Sequence, residues 1–229
     1  VFCVLEWKPE NAVNRKAIVL AGKGVIYDTG GLNIKTGDYM GQMKTDMAGA
    51  ATVAGIFHVM AKNRIPVHLV GLIPVTDNRP GGNAYVQGDI ITMYNGRTVE
   101  VGNTDAEGRL ILADALSYAD KYSPELIITI ATLTGSASMT FGNLATAVMG
   151  NADERYFSML REAGNEVYER IAPLPFWEEY GELLKSDIAD IKNTGGREAG
   201  AITAGKFLEF FTEYHLIHLD IAGTGVLKK

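Results

Sequence analysis

An α/β layer fold in a single domain is what the sequence predicts, on three observations. Short β-rich apolar runs alternate with longer stretches of helical spacing along all 229 residues. Hydrophobic residues make up 47% and charged residues 21%, a balance that excludes a disordered or fibrous chain and suits a buried core. No linker, repeat or low-complexity segment divides the chain.

The elements follow in order. Residues 17–21 and 25–27 are compact apolar runs that read as buried strands, and Gly30-Gly31 breaks the chain after them. Over residues 47–62 the spacing of Met47, Ala50, Ala51, Ala54, Phe57 and Val59 predicts a small-residue helix packed closely on a sheet. Asp46 stands where its N-cap would be. Residues 66–75 are the next strand, and 76–88, with Asp77, Asn78, Pro80, Gly81 and Gly82, a long loop. Asn95-Gly96, between runs at 90–94 and 97–101, predicts a type I′ hairpin turn. A helix over 110–122 and a fully buried strand over 126–131 come next. Helical stretches near 153–170 and 200–214 lead to a last strand at 216–221.

Composition excludes several functions. The 21 Lys+Arg against 27 Asp+Glu leave a net charge of −6, which argues against electrostatic binding of nucleic acid or anionic membrane. No apolar run approaches the roughly 20 residues of a membrane span, and no signal peptide opens the chain, so a reducing, cytoplasmic setting is expected. The first residue is Val1 rather than Met, as in a fragment or processed product. A lone Cys3 excludes an intrachain disulfide and a thiolate zinc site, and only four histidines are present. Of these, His215 and His218 stand three apart in a predicted strand and point to opposite faces. A His-Glu-x-x-His motif is absent, and Ser136 lacks the second glycine of a nucleophile elbow. The run G-A-I-T-A-G-K-F over 200–207 only resembles a P-loop, because Phe207 stands where Ser or Thr would bind Mg²⁺.

Acidic residues concentrate where strands end. Asp28, Asp46, Asp105 and Glu107 all sit at strand ends or helix starts, the positions beside which open α/β sheets bind ligands. Converging there, four carboxylates would repel one another unless cations neutralised them. An oxygen-rich, histidine-poor set suits Mg²⁺ or Mn²⁺, and carboxylates also serve Zn²⁺. Plain structural readings stand beside this one. Asp46 could be only a helix cap, Asp28 a turn residue, Asp105 and Glu107 a solvated loop, and Lys23, between two glycines, a surface charge.

Larger blocks resolve these alternatives. Asn103-Thr104-Asp105-Ala106-Glu107-Gly108-Arg109-Leu110 matches the signature octapeptide of the leucyl aminopeptidase family, the cytosolic dimetal M17 peptidases, without a substitution. Gly22-Lys23-Gly24-Val25, Asp28-Thr29-Gly30-Gly31, Lys35, Lys44-Thr45-Asp46-Met47 and Ala131-Thr132-Leu133-Thr134-Gly135 resemble further family blocks, so the likeness runs from about Ala17 to Gly223. It implies a three-layer α/β sandwich with a central mixed, mostly parallel sheet flanked by helices. Residues 1–229 would be the catalytic domain, without the family's N-terminal domain and extreme C-terminal segment. Lys23, Asp28, Asp46, Asp105 and Glu107 fall on the five metal-ligand positions, and Lys35 and Arg109 on the two catalytic ones. Met43, Asn103, Thr132 and Leu133 match substrate-contact positions.

The activity so implied is metal-assisted removal of N-terminal, preferably apolar, amino acids from peptides, with water activated by two divalent cations, Zn²⁺ or Mn²⁺. Lys35 would stabilise the oxyanion, and Arg109 would hold bicarbonate as general base. A ligating lysine must be the neutral amine, which two nearby dications would enforce. The family forms hexamers, implying a homo-oligomer here. Two other functions compete. A Mg²⁺-dependent phosphohydrolase would need cationic phosphate clamps, for which only Lys35 and Arg109 are candidates. A DNA-binding role is weakened by the net charge of −6.

Overall fold

Strand β2 (Ile18–Gly22) is wholly apolar or small, so it can be buried on both faces, and it lies inside the sheet. In the computed structural model, which describes residues 1–226, β2 pairs in parallel with β4 (Leu69–Asn78) and with β7 (Leu126–Ala131). Beyond β7 come β11 (Leu216–Asp220), parallel to it, then β8 (Thr146–Gly150), antiparallel, and β9 (Ile171–Pro173), parallel to β8. On the other side, β1 (Phe2–Trp7) runs antiparallel to β4, and β3 (Gly24–Asp28) pairs in parallel with the carboxyl end of β4. The sheet is mixed and mostly parallel.

Alternation along β2 sorts side chains to the two faces. Leu20 clusters with Val53 and Phe57 of α1 (Ala48–Lys62) and with Leu69, Ile73 and Ile130. Val19 and Ala21 face the opposite layer, where Leu112 and Leu116 of α2 (Glu107–Ala119) meet Phe207 and Leu208. Phe157 clusters with Val148 and Ile217 over the outer strands. Each such large side chain, fully buried, contributes roughly 1.5–3 kcal/mol. Helices on both faces make the three-layer sandwich. A small second sheet joins β5 (Ile90–Thr92), β6 (Thr98–Glu100) and the two-residue β10 (Ile191–Lys192).

Several boundaries differ from the sequence reading. The strand expected over 66–75 runs on to Asn78, because β3 continues to pair with it at Val25↔Thr76 and Asp28↔Asn78. Helix α2 begins at Glu107 rather than residue 110, and the next two helices, α4 (Glu154–Glu166) and α5 (Gly200–Glu209), are shorter than their runs. The 90–101 turn is not type I′: Gly96 has φ +86° but Asn95 does not share a positive φ, and Gly96 N donates to Met93 O (2.8 Å). That is the pattern of a three-residue loop closed by a left-handed glycine. Sequence periodicity also missed β1, β8, β9, β10 and α3 (Gly135–Phe141), the last opened by Thr134, whose side chain accepts from Ala137 N. The two-residue β10 and three-residue β9 are too short to show a period.

Candidate metal centre

Charged residues from four chain segments meet at the carboxyl ends of β2, β3 and β7. Lys23 N donates to Ile130 O (3.1 Å), and Lys23 O accepts from Ala50 N (2.9 Å), which locks the residue between β7 and α1. This approach needs glycine at position 49, where a Cβ would lie 2.0 Å from Ile130 O. The lysine side chain then passes under the start of α2, where a Cβ on Gly108 would lie 2.5 Å from Lys23 Cε. Lys23 is 3% exposed, so it is not a surface charge.

Asp46 does not cap α1. It closes a 3-10 helix (Gly37–Thr45), and Met47 holds the cap position without a side-chain bond. The carboxylate turns inward instead, where Oδ1 accepts from Lys23 Nζ (2.9 Å) and Thr132 Oγ1 (2.7 Å). Glu107 Oε1 lies 3.0 Å from the same ammonium, which also donates to Thr132 O (2.9 Å). A second lysine makes a parallel bridge: Lys35 Nζ is 2.8 Å from Asp28 Oδ2 and 2.5 Å from Asp105 Oδ1. Asp28 Oδ1 accepts from Gly30 N (2.9 Å) and Asn78 Nδ2 (2.8 Å), and Asp105 N donates to Asn103 Oδ1 (2.7 Å).

Burial is the largest influence on Lys23, Asp28, Lys35, Asp46 and Asp105. It lifts Asp46 and Asp105 to about 6 despite their lysine partners, because neighbouring carboxylates compete for the same ammonium groups. Asp28 goes the other way: against burial, Lys35, Gly30 N and Asn78 hold it below the usual carboxylate range. Burial also opposes the charge on both lysines, but Glu107 and Asp46 raise Lys23, and Asp105 and Asp28 raise Lys35.

This donor set fits divalent cations. Four carboxylates share two ammonium groups, and oxygens of Asp28, Asp105 and Glu107 lie within 4.8 Å of one another. Asp46 Oδ2 lies 2.8 Å from Lys23 Nζ yet accepts no hydrogen bond, leaving a buried oxygen with coordinating capacity. Hard oxygen donors with surplus negative charge are what Mg²⁺, Mn²⁺ or Zn²⁺ would take.

Arg109, two residues beyond Glu107, is the complementary feature. Its guanidinium is buried, donates from Nη1 to Asn193 O (2.8 Å) and leaves Nε unpartnered. Burial pulls it down to about 10 against the attraction of Glu107 and Asp220. A buried guanidinium with an unpartnered N–H group has capacity left to bind an anion.

The structure thus joins Lys23, Asp28, Lys35, Asp46, Asp105 and Glu107 directly, with Thr132 and Asn103 bonded at their edge. Met43 is connected through its carbonyl, which accepts from Asp46 N (3.3 Å). Leu133 N donates to Asp220 Oδ1 (3.1 Å). Sequence reasoning missed three buried polar residues. Asn78 Nδ2 reaches Asp28, Thr104 O (3.0 Å) and Glu107 Oε2 (3.4 Å). Asn193 anchors Arg109, and Asp220 also accepts from Thr134 Oγ1 (2.7 Å), holding the turn after β7. Asp220 had a signal in a carboxylate closing an apolar run; Asn78, in a stretch read as loop, had none.

Comparison with known proteins follows this geometry. The catalytic-domain model of the cytosol aminopeptidase family matches residues 1–229. A probable cytosol aminopeptidase of Chlorobium limicola is 50% identical over 225 residues, covering 97% of this chain and 44% of that protein. One from Geobacter sp. (strain M21) is 50% identical over 227 residues, covering 99% of this chain and 46% of that protein. Among solved structures, the apo leucyl aminopeptidase from Trypanosoma cruzi superposes with a TM-score of 0.93 at 31% identity, covering 100% of this chain and 46% of its own. The bottromycin maturation enzyme BotP gives 0.88 at 32%, covering 97% and 48%. The chain spans less than half the length of these relatives.

Proposed function

The chain belongs to the cytosol aminopeptidase family, and from that premise we propose that it is the catalytic domain of a dimetal aminopeptidase releasing N-terminal, preferably apolar, residues from peptides. One observation carries the reading: Lys23, Asp28, Asp46, Asp105 and Glu107, spread over 85 positions of sequence, share one hydrogen-bonded cluster with surplus negative charge, buried except at Asp105. These five would hold two divalent cations, Zn²⁺ or Mn²⁺. When bound, the cations supply polarisation of the peptide carbonyl and a water acidified towards neutral pH, and bicarbonate supplies a general base.

The chain's own residues do the rest. Lys35, kept protonated between Asp28 and Asp105, donates to the oxygen that gains charge as the carbonyl is attacked. Arg109 holds the bicarbonate through N–H groups left free by its bond to Asn193. Asn78 orients Asp28 and Glu107 as a neutral donor that does not compete for cations. Met43 and Leu133 line the place of the substrate's first side chain with apolar walls, and Asn103, Thr132 and Leu133 contact the substrate. Assembly as a homohexamer and a cytoplasmic location complete the proposal; no helix among the described residues is long and apolar enough to cross a membrane.

Chelation should abolish hydrolysis of a leucyl chromogenic amide, with recovery on adding Zn²⁺, Mn²⁺ or Co²⁺. Glu107→Ala should lower the rate by about 10³-fold or more. An unchanged rate in that variant would overturn the reading. Faster turnover of a phosphate monoester than of the amide would favour the phosphohydrolase instead.

A further inference from the structure

We propose that Asn193 is a positioning residue that sets the direction of the Arg109 guanidinium and the Asn103–Asp105 turn. The proposal rests on the aminopeptidase reading above. Asn193 directly follows β10 and is fully buried. Its backbone N donates to Glu100 O (3.0 Å), which fixes it against β6. Its side chain then lies along the start of the signature octapeptide as a strand partner would: Oδ1 accepts from Gly102 N (2.8 Å) and Asn103 N (3.2 Å), and Nδ2 donates to Asn103 O (2.8 Å). Its backbone carbonyl accepts from Arg109 Nη1 (2.8 Å).

One residue therefore holds both ends of the segment that carries Asp105, Glu107 and Arg109. Asparagine suits the place because its planar amide offers an acceptor and a donor side by side. Aspartate offers acceptors alone, and an aliphatic residue would leave three part-buried backbone groups without this partner. The effect passes on to chemistry through two contacts. Asn103 Oδ1 accepts from Asp105 N (2.7 Å), so a shift of Asn103 moves a proposed ligand. The bond to Asn193 O is also the one hydrogen bond the guanidinium makes among the described residues, so the aim of its free N–H groups depends on that carbonyl. The seam is tight as well: a Cβ on Gly102 would lie 2.5 Å from Thr194 Cγ2.

The test compares wild type, Asn193→Ala, Asn193→Asp, Arg109→Ala and the Asn193→Ala/Arg109→Ala double variant in the metal-loaded enzyme. Steady-state kinetics on the leucyl amide are combined with metal content and calorimetric bicarbonate binding. Asn193→Ala should lower kcat about 10–100-fold with KM within about 2-fold, weaken bicarbonate binding about 5–10-fold and leave metal content unchanged. Asn193→Asp, which keeps the acceptor, should fall between. In the Arg109→Ala background, Asn193→Ala should cost only part of its effect in wild type, the share carried through the Asn103–Asp105 turn. A kcat within about 2-fold of wild type with undisturbed bicarbonate binding would overturn the proposal. So would a loss that follows metal content, a full effect persisting without Arg109, or failure of both Asn193 variants to fold. A metal-loaded wild type that hydrolyses no amide would sink the aminopeptidase reading instead, and bicarbonate binding would still decide on Asn193.

Discussion

Among the described residues, two lysines are almost fully buried, each between two carboxylates, and only one belongs to the candidate site. Lys206, in α5, lies 2.9 Å from Glu178 Oε1 and 2.7 Å from Glu209 Oε2, with its ammonium over the Phe176 ring. The Glu178 side chain is 91% exposed, so water still solvates that partner. Lys23 has partners as buried as itself, with the Asp46 and Glu107 side chains only 7% and 6% exposed. Its cluster extends to a second lysine and two more carboxylates, whose charges do not balance. The burial of the partners, more than that of the lysine, separates a closed ion pair from a place prepared for cations. Lys206 is also the lysine of the P-loop-like run, and its position inside a helix agrees with setting that match aside.

This contrast breaks or holds in activity first. Lys35→Met should lower kcat by about 10²–10³-fold, because it removes the donor to the developing oxyanion. Lys206→Met should stay within about 2-fold of wild type, since Lys206 pairs with none of the candidate ligands and one of its partners, Glu178, is solvated. Equal losses in steady-state assays of the two variants would erase the distinction.

Stability sharpens it next. In metal-free protein, Lys23→Met leaves Asp46 and Glu107 buried without their ammonium, a loss on the order of 3–5 kcal/mol. Lys206→Met keeps the apolar stem and gives up a pair with one exposed partner, about 1 kcal/mol or less. Urea unfolding of the two variants reads the difference, and matched midpoints would contradict it.

The smallest effect concerns a buried polar group outside both lysine clusters. His218 is fully buried, with Nδ1 2.8 Å from Thr129 Oγ1 and Nε2 unpartnered, and burial lowers it from 6.5 to about 4. The unfolded chain takes up its proton first as pH falls. Stability therefore drops from about pH 6.5 towards 4, by at most about 1.4 kcal/mol per pH unit. Asp46 and Asp105, lifted to about 6, work in the opposite sense, since their folded forms accept protons more readily. The difference between wild type and His218→Gln isolates the histidine, and a pH-independent difference would show that it is not held neutral.

Much of the site was legible in residue types and spacing. The octapeptide from Asn103 to Leu110 and the glycines around Lys23 are local patterns, and every ligand candidate drawn from them joins the cluster or stands at its edge. Legibility failed wherever a distant partner decided the outcome. Asp46 reads as a helix cap because it precedes an apolar-periodic run, but Lys23 and Thr132 draw its carboxylate inward. Asn78 reads as loop because Pro80, Gly81 and Gly82 follow it, although β3 extends the ladder that far. Asn193 follows a two-residue strand that no periodicity could show, so its reach to Gly102, Asn103 and Arg109 was invisible.

Layer architecture and the residue types of the donors are readable from the chain alone. Alternation sorts the side chains of β2 between the two helix layers, and a set of carboxylates without nearby histidine or cysteine offers oxygen donors. Only the tertiary structure decided which charge meets which, and which neutral amides hold them in place. The reason is physical. Periodicity and capping act over a few residues, whereas Lys23 meets Asp46 and Glu107 only when the register of β2 on β7 and the glycine contacts at 49 and 108 are in place together.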